Sequence, residues 1–212
     1  MNPMETYYEN LAGTVISNMK KRQIAACYCK TKEEAVELAD SYLFPGASVS
    51  FGGSMTLAES GMMDALKANT GITLLDRSNA KNPDETKEIY HKALSSDFYF
   101  MSSNAITMDG KLVNVDGTGN RTAALIYGPE HVILLAGMNK IAKDEADALS
   151  RVHEIAAPVN CNRLSRNTPC AKTGVCADCL SPDCVCCQTV ITRRSAIPER
   201  IQVILIGEAL GY

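Results

Sequence analysis

Residues 23–54 read QIAACYCKTKEEAVELADSYLFPGASVSFGGS, and this stretch decides the fold class. Residues 23–29 form a short apolar run of the length of a buried strand. Thr31, with Glu34 three residues on, is a capping box that opens a helix running to about Phe44. Pro45-Gly46 ends that helix. Val49-Ser50-Phe51 is the next strand, and Ser54 opens a helix through Met62, Met63 and Leu66. Strands separated by helical segments form crossover units, which call for a mostly parallel sheet flanked by helices.

The alternation extends in both directions. Upstream, Met4, Tyr7, Tyr8, Leu11, Val15, Ile16 and Met19 recur at three- and four-residue steps, as on an amphipathic helix. Downstream, strands are expected at residues 72–75, 98–101, 131–136 and 200–206, and helices at about 84–94, 121–127 and 141–155. A hairpin is expected between residues 105–107 and 112–115, turning at Asp109-Gly110. Residues 158–198 fit neither pattern and read as an irregular, cysteine-rich excursion before the last strand. The chain is thus expected to form one α/β domain over residues 1–212.

Composition narrows the function classes. The 212 residues carry 21 Lys+Arg against 24 Asp+Glu, a formal net charge of -3, which gives no support to general nucleic-acid binding. No apolar run approaches the roughly 18 residues of a membrane span. The opening MNPMETYYENL has neither a basic segment nor an apolar one of the kind that directs secretion. A cytoplasmic location is expected, with reduced thiols.

Three segments sit where strands hand over to helices, the position at which open α/β sheets bind ligands. In the first, Gly52 and Gly53 allow close backbone approach, and Ser54 and Thr56 offer hydroxyls to an anion beside a helix N-terminus. In the second, Asn104, Asn114, Asp116, Gly117, Gly119, Asn120 and Arg121 bring carboxamides, a carboxylate and a guanidinium together. The third, Gly137-Met138-Asn139-Lys140, offers Asn139 and Lys140. Together they are expected to hold a small anionic metabolite. Asp116 and Asp109 are the candidate catalytic carboxylates, with Glu59 and Glu208 behind them. No spacing matches GxGxxG or a nucleotide P-loop, so no NAD or FAD fingerprint is present.

Seven of the nine cysteines fall within residues 161–187. Cys170-x5-Cys176-x2-Cys179-x6-Cys186 is the core of this cluster, and Cys184-x2-Cys187 makes a competing pair. Four thiolates suit tetrahedral zinc or an iron–sulfur cluster. Disulfides and free thiols are the alternatives. Arg163, Arg166, Arg193, Arg194 and Arg200 flank the cluster, where they read either as an anion pocket or as a solvated face.

The order of SFGGSMTL, NAITMDGKLVNVDGTGNRTAALIYGP, LAGMNKI and TPCAKTGVCADC, closed by RIQVILIGEALGY, resembles the LUD (lactate utilisation) domain family along nearly the whole chain. The resemblance implies a fold related to ribose-5-phosphate isomerase, glucosamine-6-phosphate deaminase and the CoA transferases. It favours Cys186 as the fourth ligand beside Cys170, Cys176 and Cys179, and an iron–sulfur cluster over zinc. It also implies a component of a lactate-oxidising system, with iron–sulfur or oxidoreductase partner subunits; a homo-oligomer is a separate expectation. The second motif is more distantly similar to a stretch of methylthioribose-1-phosphate isomerases in which an Asp takes part in the chemistry. Asn104 stands at that place, and an amide positions a substrate without shuttling its proton. An isomerase or acyl/CoA transferase acting on a phosphosugar or CoA ester is the alternative, and a zinc-braced, non-catalytic module the third reading.

Overall fold

A computed structural model describes residues 2–212. Its centre is a six-stranded, all-parallel sheet in the order β1 (Ala25–Cys29), β10 (Ile201–Ile206), β7 (His131–Gly137), β4 (Phe98–Met101), β2 (Ser48–Phe51), β3 (Thr73–Leu75). Helices cover both faces, so the central strands are apolar on both sides. Along β7, Val132, Leu134 and Ala136 face one core, and Ile133 and Leu135 face the other. The first core takes Ala12, Val15 and Met19 of α1 (Pro3–Lys21) and Ala124 and Leu125 of α6 (Asn120–Ile126). The second takes Ala35 and Ala39 of α2 (Lys32–Ser41), Leu57 of α3 (Met55–Glu59) and Met62 and Leu66 of α4 (Met62–Ala68).

Local sequence sets the helix starts. Asn2 caps α1 in a capping box with Glu5, and Pro3 follows at the first helical position. Thr31 Oγ accepts the amide of Glu34 at 3.3 Å, as the sequence predicts. The return arm lands one residue early, where the Glu34 carboxylate accepts the amide of Lys30 at 2.8 Å. The helix expected from Ser54 through Leu66 is two helices, because Gly61 takes a left-handed conformation (φ 87°) between α3 and α4.

The remaining strands form a second, four-stranded sheet that the alternation did not reveal. Its order is β8 (Ile141–Ala142), β5 (Ala105–Thr107), β6 (Leu112–Asp116), β9 (Gln188–Thr192), with β5–β6 the expected hairpin. The excursion is therefore less irregular than its composition suggests: β9 lies within it and pairs antiparallel with β6, Asp116 opposite Gln188. The helix expected over residues 141–155 begins later and runs further. Residues Ile141–Ala142 are strand, and α7 (Glu145–Arg151) continues through a π-helical turn at Val152–Ala156 into α8 (Ala157–Arg163). Pro158, which has no N–H to donate, sits just past that turn, so the proline is absorbed rather than ending the helix. A short helix, α9 (Pro169–Thr173), capped by Thr168, follows within the cysteine-rich segment. Among the described residues no helix is long and apolar enough to cross a membrane.

Candidate functional site

The strands β7, β4 and β2 are neighbours and parallel, so their carboxyl ends open on one side of the sheet. From these ends come the loops that carry Lys140, Ser102 to Asn104, and Gly53 and Ser54. The connection from β2 leads towards β3 and that from β4 leads away towards β7, which makes this a topological switch point. A cavity of about 420 Å³ opens there, within the usual size of a small-molecule site. Its lining includes the cations Arg77, Arg121, Arg163 and Arg166 and the amine of Lys140, against the carboxylates Asp116 and Asp183.

Of the residues singled out in the sequence, Gly53, Ser54, Asn104, Asp116, Gly117, Asn120, Arg121 and Lys140 line this cleft. The glycine pair makes room for arginines: a Cβ on Gly53 would lie 2.6 Å from Nη2 of Arg77, and one on Gly52 would lie 3.1 Å from Cδ of Arg121. Ser54 caps α3, its Oγ accepting the amide of Leu57 at 3.3 Å. Thr56 is buried and donates to the carbonyl of Leu210 at 3.1 Å. Asn139 also serves the C-terminal tail, donating to the carbonyl of Gly211 at 3.0 Å and accepting the amide of Leu210 at 3.1 Å.

Arg121 is the structural hub of the floor. Nη1 donates to the carbonyl of Ser102 at 3.1 Å and to the side-chain oxygen of Asn114. Nη2 donates to Oδ1 of Asn104 at 3.0 Å and to the carbonyl of Val115 at 2.8 Å, and Nε lies 3.5 Å from the Asp116 carboxylate. Its donors are thus taken up within the protein, and what it offers a ligand is charge. Asn114 is fully buried beneath it, its amide NH2 without a partner among the described residues. Asp116, 9% exposed, accepts the amides of Gly119 at 3.0 Å and Thr122 at 3.2 Å, fixing the left-handed Gly119 ahead of α6. Asp109 lies elsewhere. It stays in the hairpin turn, 2.7 Å from Nη2 of Arg22 and 3.1 Å from Nζ of Lys111; burial is outweighed by the Thr107 hydroxyl, Lys111 and Arg22, which together hold its carboxyl below the ordinary range, and it does not line the cleft. Glu59 and Glu208 accept backbone amides, from Gly211 at 2.6 Å and Lys32 at 2.8 Å.

Lys140 is only 3% exposed. Nζ donates to Oγ of Ser102 at 3.0 Å. Burial, with Arg151 and Arg121 nearby, lowers its pKa to about 7 against a weaker opposing pull from Glu59. Arg151 braces the same loops, donating to the carbonyls of Asn104 at 2.6 Å and Asn139 at 3.1 Å.

The cysteine-rich segment forms one side of the cleft. Val185 and Cys186 pack on Val115, Val152 and Ala157. A Cβ on Gly117 would lie 3.2 Å from Cα of Val185, so the loop and the segment meet where only glycine fits closely. Cys184 and Cys187 line the cavity. Cys161 neighbours Cys170 and Cys184, and Cys186 neighbours Cys184, Cys161 and Cys176, yet among the described residues no three or more His, Cys, Asp or Glu side chains converge as metal ligands would. Cys170 sits buried against Thr168 Oγ at 3.3 Å, whereas Sγ of Cys176 lies 3.5 Å from Nδ1 of His153. Burial and the neighbouring Cys184 push the Cys186 thiol up to about 12. In this arrangement they do not present the four converging thiolates that a metal or cluster needs.

Sequence reasoning missed Arg77, Tyr90, Ser102 and Tyr212 as lining residues. Arg77 lies two residues past β3, at the same kind of strand end, but its loop lacks the glycines that mark the others. Of the five flanking arginines, Arg163 and Arg166 reach the cleft. Arg200 instead donates to the carbonyls of Pro129, Leu125 and Ala124 at the end of α6.

Comparison with known proteins agrees with this architecture. The chain is similar over 94% of its length to 98% of a DUF162 family protein from Deinococcus radiodurans, with a TM-score of 0.55 and 11% identity, which speaks to the fold alone. A second solved structure, eIF2B delta from Chaetomium thermophilum, overlaps 68% of this chain and 57% of its own, with a TM-score of 0.38 and 16% identity. No curated protein sequence matches the chain. The sequence profile of the LUD domain matches residues 13–206, and the chain belongs to the LUD domain family.

Proposed function

We propose that the cleft binds a small carboxylate metabolite of the 2-hydroxy or 2-oxo acid type, and that the chain serves lactate utilisation as one component of a multi-subunit system. The observation that carries this reading is the excess of cations at the carboxyl ends of β2, β4 and β7, in a cavity of about 420 Å³. Arg77, Arg163 and Arg166 supply charge at the side of the cleft, and Arg121 supplies it at the floor. Lactate and pyruvate are anions small enough to enter and be met by several cations at once. The family supports the metabolic assignment. In this reading the acid is held here and its electrons pass to an iron–sulfur or oxidoreductase partner in the cytoplasm.

Isothermal calorimetry with lactate, pyruvate, a phosphosugar and a CoA ester tests the reading. Lactate or pyruvate is expected to bind, and Arg77→Gln to weaken binding roughly tenfold, the worth of one partly screened charge-assisted hydrogen bond. Turnover of the phosphosugar or CoA ester, with neither small acid bound, would move the assignment to an isomerase or transferase.

A further inference from the structure

Lys140 is out of the ordinary for a buried lysine. Its ammonium form would need a carboxylate partner, yet Lys140 makes no ion pair with any described carboxylate. Lys111, by contrast, is paired with both Asp109 and Glu145. Among the described residues the one hydrogen-bond partner of Nζ is a hydroxyl, Oγ of Ser102. The charged groups that face it are Arg121, Arg151 and Glu59, and both guanidiniums are anchored on the loops around it. A buried amine set between cations, open to a cavity and touching a hydroxyl, is suited to being neutral at neutral pH. A neutral amine is a nucleophile, and its characteristic reaction is with a carbonyl carbon.

We propose that Lys140 is a covalent catalytic residue, its Nζ forming an imine with the carbonyl carbon of a 2-oxo acid held in the cleft. This rests on reading the cleft as a small-carboxylate site. The amine lone pair forms a C–N bond while the carbonyl π pair moves to oxygen, which takes up a proton. Nitrogen gives up its protons and the former carbonyl oxygen leaves as water. The sum is amine plus oxo acid to imine plus water, with no change of oxidation state. The Ser102 hydroxyl, within hydrogen-bond reach of Nζ, is placed to relay a proton between nitrogen and the departing oxygen. The cations that line the cleft hold the carboxylate.

The test is reductive trapping. The full-length protein is incubated with pyruvate, reduced with borohydride, and weighed and peptide-mapped by mass spectrometry. The expected adduct equals pyruvate less one oxygen atom, sits on Lys140, and is lost in Lys140→Arg, whose folding is checked by circular dichroism. The wild-type map decides the matter even if that variant fails to fold. Calorimetry of pyruvate on the unreduced protein runs alongside. Binding without an adduct on Lys140, or adducts scattered over surface lysines, overturns the imine and leaves the carboxylate site standing. Absence of both binding and adduct overturns the two together.

Discussion

Nζ of Lys140, at the end of β7, donates a hydrogen bond of 3.0 Å to Oγ of Ser102, at the end of β4. Two adjacent parallel strands are thus tied at their carboxyl ends by a lysine buried at the base of a cationic cleft. A structural cross-link of this kind would be better served by a neutral side chain. Its retention costs stability, and that cost is measurable.

Lys140→Met should therefore stabilise the fold near pH 6. The native pKa of about 7 lies below the ordinary lysine value of 10.5, so between these values the unfolded chain binds more protons than the native one. Native stability then rises with pH across that window, and the penalty of burying the amine is greatest below pH 7. The variant is expected to gain about 1–3 kcal/mol at pH 6 in urea unfolding, with the gain shrinking towards pH 10. A gain independent of pH would mean that the amine is not held at a lowered pKa.

Arg121→Met should cost about 3–5 kcal/mol, because it strands Asp116 and the buried oxygens of Ser102, Asn104, Asn114 and Val115. Chemical denaturation measures it. A loss under about 1 kcal/mol would show that the loops do not depend on this hub.

Gly137 and Gly13 should respond oppositely to alanine. A Cβ on Gly137 would lie 2.6 Å from both the carbonyl oxygen of Glu208 and the amide of Leu210, backbone atoms that cannot give way cheaply. Gly13 lies inside α1, with nothing within 4 Å of the added carbon. Thermal melts should show Gly137→Ala losing about 2–3 kcal/mol and Gly13→Ala gaining about 0.5–1 kcal/mol.

Thiol labelling tests the cysteine-rich segment. Cys187 is exposed and should be modified first, whereas Cys161 and Cys170 are buried and should resist until unfolding. Joint protection of Cys170, Cys176, Cys179 and Cys186, lifted together by a chelator, would show that the four converge on a metal in a rearranged segment.

The parallel sheet was legible because its signals are local: capping residues, Pro45-Gly46, and apolar runs of strand length. The second sheet was not. β9 pairs with β6 across more than seventy residues, and Gln188–Thr192 follows a run of cysteines that hides its alternation. The helix expected to end at residue 155 likewise continues past Pro158, since a π-helical turn ahead of the proline leaves no mark in periodicity. At the site, polar density in the loop after β6 pointed to the right place but not to the roles. Arg121 and Asp116 look like ligand groups in sequence and are largely satisfied within the protein, whereas the unpaired lysine depends on which carboxylates the fold keeps away. Arg77 enters the cleft only because β3 sits beside β2, a fact of topology.

The most direct test of the account is a crystal structure of the protein grown with saturating pyruvate. Pyruvate is expected in the cleft at the carboxyl ends of β2, β4 and β7, its carboxylate facing Arg77 or the Arg163–Arg166 side and its carbonyl carbon towards Nζ of Lys140. Pyruvate bound elsewhere, or a cleft left empty under conditions where calorimetry reports saturation, would contradict it.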